Sequence, residues 1–165
     1  MIKAVFFDID GTLHYSGIGI PQSAVKAVNQ LIANGHKAVM CTGRSKGMMP
    51  EEYFHMGFHG MILGAGAYVE YEGKVIHREL MTKQEVQTVI DWGKKQKIGI
   101  ILEGEQHGYY DPDNHDDYYV AMKNKTEVDC ETTLYPISEA VDVAKWTYHH
   151  MDLDLSLIHI SEPTR

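Results

Sequence analysis

The stretch AVFFDIDGTLH, residues 4–14, decides the fold. Four apolar residues, Ala4, Val5, Phe6 and Phe7, lead into two aspartates one residue apart, Asp8 and Asp10, and then into Gly11 and Thr12. A short apolar run bounded by polar turn residues predicts a parallel strand buried on both faces. Two carboxylates this close repel each other, so stability alone does not account for them. They stand where the strand ends, which is where open α/β sheets bind ligands.

Outward from this stretch, Val25, Val28, Leu31 and Ile32 recur at helical spacing over residues 23–33, and Gly35 stands where a left-handed C-cap belongs. HKAVMCTGR, residues 36–44, is a second apolar strand ending in a Gly-containing turn. A Met-rich helix is expected over 50–56, closing near Gly57, followed by a third apolar run, GMIL, at 60–63. This alternation predicts an α/β sheet of parallel strands with right-handed crossovers. The texture then changes. AYVEYEGKVIHREL, residues 67–80, reads as a hairpin turning at Glu72 and Gly73. Thr82 and Glu85 have capping-box spacing and open a helix that ends in the lysines of GKKQK, residues 93–97. Strand-like IGIILE and GYYD follow, then a polar segment, DPDNHDDYYVAMKNK, expected to be loop and short helix. Residue 81 is the expected start of a second, α+β module.

If the first two strands are neighbours, Asp8, Asp10, Thr42, Gly43 and Arg44 converge on one crevice, a set that suits phosphoryl transfer. A carboxylate can attack phosphorus and split one difficult step into two. A second acid can protonate the leaving alcohol and later deprotonate water. Gly11 and Gly43 permit close backbone approach to a phosphate, the Thr42 hydroxyl can hold its oxygens, and Arg44 offers a planar fork.

Composition bounds the alternatives. The 165 residues carry a net charge of −8, which argues against a nucleic-acid or anionic-membrane partner. No stretch approaches the roughly 20 apolar residues of a membrane span. The apolar N-terminal run meets Asp8 too soon for a signal peptide. Cys41 and Cys130 lack metal-ligand spacing, so a reducing cytoplasm is expected. Cys41 reads as a small strand-end residue. DPDNHDD, residues 111–117, lacks the glycine and closing glutamate of an EF-hand loop and reads as a solvated acidic loop. The histidines, His149 and His150 included, read as surface or packing residues. Met48, Met49 and Met56 read as filler facing the core and the second module.

DIDGTL after an apolar strand and CTGR at the end of the next resemble the first two motifs of the haloacid dehalogenase superfamily, specifically its Cof-type phosphatases. The resemblance covers most of residues 1–80. It implies a Rossmann-like core sheet (1–80, incomplete) with a partial α+β cap inserted (81–154). It implies a cytoplasmic, Mg²⁺-dependent phosphatase acting on small phosphorylated metabolites, sugar phosphates or similar, through an aspartyl-phosphate. Asp8 would be the nucleophile and a metal ligand. Asp10 would be the general acid/base and bind the metal through its backbone carbonyl. Gly11, Thr12, Thr42, Gly43 and Arg44 would bind substrate. LHYSGIGIP, residues 13–21, fits the squiggle and flap after the first motif. GAGAYVEYEGKVI, residues 64–76, resembles the lead into the cap, with Ala65 where relatives carry Asn.

The family's third-motif lysine and fourth-motif acids have no counterpart before residue 155, and Lys145 lies within the cap-like segment. The chain is therefore expected to be an inactive or nearly inactive fragment. A phosphomutase and a non-catalytic phosphate- or Mg²⁺-binding module are the alternatives. The tail LSLIHISEPTR, residues 155–165, resembles a translated sequencing-library adapter and is excluded from fold reasoning.

Overall fold

A computed structural model of the chain describes residues 1–149. His150 and the adapter-like tail lie outside them. The first sheet has the order β1-β2-β3-β4-β5, made of Ala4–Phe7, Lys37–Cys41, Gly60–Leu63, Tyr68–Tyr71 and Lys74–Arg78. β1, β2 and β3 are parallel, and β4 and β5 add antiparallel. The sheet is thus mixed, its parallel half coming from the strand–helix alternation and its antiparallel half from the expected hairpin. Glu72 and Gly73 turn that hairpin, both at positive φ, as a two-residue loop twisted to match its strands requires.

Helix α1 (Gln22–Ala33) crosses from β1 to β2 and buries Val28. It ends in a Schellman arrangement: the Gly35 amide bonds the Ile32 carbonyl and the His36 amide bonds that of Leu31. Around it Ile9, Leu13, Met40, Tyr53 and Leu63 form the first core cluster.

β1 departs from expectation. It is an edge strand with one covered face; Phe7 meets Phe58 edge-on, while Phe6 is 59% exposed. The apolar run reports the capacity for burial on both faces, but among the described residues nothing pairs outside β1 or covers the Phe6 side. The Met-rich segment also differs, folding as two short 3₁₀ turns, Lys46–Met48 and Glu51–His55, in place of an α-helix.

The second sheet has the order β8-β7-β6-β9, with β6 at Gly99–Gly104, β7 at Gly108–Tyr110, β8 at Leu134–Pro136 and β9 at Val143–His149. β6 is buried along its whole length and pairs antiparallel with both β7 and β9. Helix α2 (Lys83–Gln96) opens with the complete Thr82–Glu85 capping box and stops at Lys97 in the left-handed region. Trp92 on α2 meets Trp146 and Tyr148 of β9 edge-on. The polar segment after β7 yields a longer helix than expected, α3 (Asp117–Asp129), capped by the Asp116 carboxylate on the Tyr119 amide.

Candidate active site

The parallel register pairs Phe7 with Met40, so the turns after β1 and β2 leave the sheet side by side. Ile9 is fully buried while Asp8 and Asp10 are exposed. One apolar side chain thus anchors the turn in the core, and the flanking acids remain outside it. The Ile9 carbonyl accepts from the amides of Thr12, Leu13 and His14, and Gly11 adopts φ +76°, a conformation costly for any residue with a Cβ.

Arg44 reaches across from the second turn and clasps the Asp10 carboxylate with both prongs. Nε donates to Oδ2 at 2.9 Å and Nη2 to Oδ1 at 2.5 Å. Arg44 is only 8% exposed, and its buried Nη1 has no partner among the described residues. Burial opposes its charge, but the hydrogen bonds to Asp10 carry its pKa above the ordinary value. The buried Thr42 hydroxyl accepts from the Arg44 amide at 3.2 Å, which shapes the turn and leaves the hydroxyl proton available to donate. Glycine at position 43 is exposed at the apex.

A cavity of about 280 Å³ opens beside this pair. Asp10, Gly43 and Arg44 line it from the first sheet's turns; Glu103, Asp129 and Lys145 line it from the second sheet and α3. Asp8, Gly11, Thr12 and Thr42 are outside its lining. Sequence reasoning missed Glu103 and Asp129 and read Lys145 only as part of the cap-like segment, because no local motif marks a residue whose role depends on a distant turn. Lys145 Nζ donates to the Gly43 carbonyl at 2.9 Å and pairs with Glu103 at 3.0 Å. Asp129 accepts from Ser16 Oγ at 2.5 Å and pairs with Lys125; hydrogen bonds from Lys125 and Ser16 hold its pKa below the usual carboxylate range. Cys130, also at the cavity, is buried, and that burial pushes its thiol up to about 11, leaving it protonated and unreactive at neutral pH.

Among the described residues no three His, Cys, Asp or Glu side chains gather as a metal-binding group. The exposed Asp8 carboxylate and the Asp10 carbonyl are nevertheless hard oxygen donors. They fit Mg²⁺, which binds through one or two carboxylates and retains several waters. With the Asp10 side chain committed to Arg44, its main-chain oxygen is the donor left for a cation.

Residues 5–154 match the family model described as haloacid dehalogenase-like hydrolase. YkrA of Bacillus subtilis (strain 168), which carries the word phosphatase in its name, is 28% identical over 103 residues, 62% of this chain and 40% of YkrA. A solved structure from Geobacillus kaustophilus HTA426 superposes with a TM-score of 0.72 at 22% identity, over 95% of this chain and 61% of its own. The sugar phosphatase BT4131, of haloacid dehalogenase subclass IIB, superposes with a TM-score of 0.68 at 25% identity, over 88% of this chain and 58% of its own. No helix among the described residues is long and apolar enough to cross a membrane. The match over residues 5–154 makes this chain a member of the haloacid dehalogenase-like hydrolase family.

Proposed function

We propose that the chain carries the nucleophile and acid/base half of a phosphomonoester hydrolase acting on small phosphorylated metabolites such as sugar phosphates. The observation that carries this reading is the bidentate Asp10–Arg44 pair beside the exposed Asp8, on adjacent strand ends. Asp8, exposed and unpaired among the described residues, attacks phosphorus, forming an aspartyl-phosphate as the phosphorus–oxygen bond to the alcohol breaks. Asp10 is the general acid/base: in its protonated form, with one Arg44 hydrogen bond given up, it donates to the leaving oxygen, and as the carboxylate clasped by Arg44 it later takes a proton from the water that hydrolyses the acyl phosphate. Thr42 and the Gly43 amide bind non-bridging oxygens, and Gly11 and Thr12 of the first turn are the other substrate-binding residues. The Asp8 carboxylate and the Asp10 carbonyl would hold Mg²⁺, which would supply charge neutralisation for the attack of a carboxylate on a phosphate. Residues 1–80 act as the core and 81–154 as the cap. Kinship with a named sugar phosphatase and the polar, charged lining of the cavity support the substrate class.

The test is release of inorganic phosphate from p-nitrophenyl phosphate and hexose phosphates with Mg²⁺. Slow release that is lost in Asp8→Asn supports the reading, and free phosphate with no isomerised sugar separates hydrolysis from mutase transfer. Release that survives Asp8→Asn contradicts it.

A further inference from the structure

Glu103 is an acidic side chain on the central strand of the second sheet, yet it is only 6% exposed. A buried carboxylate persists only where its oxygens are met by donors. Here the donors come from both halves of the molecule. Oε2 accepts from the Ser45 backbone amide at 3.2 Å, and Oε1 is met by Lys145 Nζ at 3.0 Å and Thr147 Oγ1 at 3.3 Å. Ser45 Oγ returns a hydrogen bond to the Gly104 carbonyl at 2.9 Å, and Lys145 continues to the Gly43 carbonyl. Residues 43–45 are thus gripped at two backbone groups and one hydroxyl by β6 and β9.

Independent packing marks the same segment. A Cβ on Gly47 would lie 2.4 Å from the His107 amide nitrogen and 2.8 Å from the Gly104 carbonyl, so this glycine seats the turn between β6 and β7 directly on the first sheet's loop. The next two residues divide between cores: Met48 is buried with Ile101, Tyr119 and Leu134, while Met49 is buried with Ile9, Met40 and Tyr53.

We propose that Glu103 and Lys145 are positioning residues that clamp the turn at 43–45, so that seating the second sheet and shaping the oxyanion site at Thr42 and Gly43 are one event. This rests on the phosphatase reading only for the identity of the anion. Neither side chain needs to touch the phosphate; each acts through the backbone of the turn that does.

The experiment combines hydrogen exchange of the 165-residue chain with titration by orthovanadate in Mg²⁺. Glu103→Ala and Lys145→Met should speed exchange of the amides at 45–48 and weaken orthovanadate about tenfold or more, since breaking a buried pair strands its partner. Exchange in α1 should stay as in the parent chain. Glu103→Gln, which can still accept from the Ser45 amide, should fall between. Gly47→Ala should reproduce both effects with no change of charge, and parent-like exchange in α1 in every variant guards against one that merely fails to fold. Unchanged exchange at 45–48 overturns the clamp. Faster exchange with undiminished orthovanadate affinity overturns the coupling. If the parent chain binds no orthovanadate, the phosphatase reading and the coupling both fall, and the exchange result alone still decides the clamp.

Discussion

At the scale of single residues, the arrangement depends on Arg44 more than on any other side chain outside the aspartate pair. Its fork fixes the Asp10 carboxylate in one orientation, and a lysine ammonium cannot contact both oxygens in that planar geometry. A hydrogen bond to a charged group contributes about 1.5–3 kcal/mol, so Arg44→Lys should lower kcat/KM roughly tenfold to a hundredfold. Steady-state kinetics checks this, and parent-like kcat/KM in Arg44→Lys would separate the clasp from catalysis. The CTGR motif brought Arg44 into view in the sequence, as DIDGTL did the aspartates. Its partner was not visible there, because spacing along the chain does not say which acid a guanidinium will meet. Glu103 left no sequence signal, since a charged residue on a strand ordinarily faces water, and Lys145 reads only as part of the cap-like segment. Ala65 takes φ 55°, a left-handed conformation that asparagine tolerates better than alanine, so Ala65→Asn fits the backbone there.

Among the elements, those marked by local chemistry were readable: the Thr82–Glu85 box, the Gly35 stop and the Glu72–Gly73 turn all depend on residues within a few positions of one another. Elements shaped by long-range packing were not. The Met-rich segment forms a 3₁₀ turn in place of an α-helix, with Tyr53 buried against Ile9 and Met40, and Tyr119 holds α3 under β6. The Tyr119 hydroxyl donates to the Ile100 carbonyl and accepts from the Asp111 amide, and burial raises its pKa to about 12. At the other end of α3, burial raises Cys130 to about 11. Both groups are neutral when folded and ionise more easily when unfolded. Their contribution is therefore fully present below the ordinary thiol and phenol values of 9.0 and 10.0, and is lost as pH rises through 11 and 12. The melting temperature should fall between pH 9 and 12, and Cys130→Ala should flatten the first part of that fall. A melting temperature level across this interval would show that α3 does not bury these groups.

For the whole molecule, fold class was legible from the alternation of apolar runs and turns; of the second sheet only β6 and β7 were, because β8 and β9 lie in segments with no strand reading. The exposure of β1 was not, because an apolar run looks the same whether one face or both are covered. The two sheets meet along a polar seam in which Asp10, Arg44, Glu103 and Lys145 face a common cavity, and the central claim is that this seam serves phosphoryl transfer to Asp8. Its most direct test is mass spectrometry of the intact chain after incubation with acetyl phosphate and Mg²⁺ and an acid quench. The account predicts a single hydroxylamine-sensitive phosphoryl group, mapped to Asp8 and absent in Asp8→Asn. A chain that takes up no phosphoryl group, or carries it on a residue other than Asp8, would contradict it.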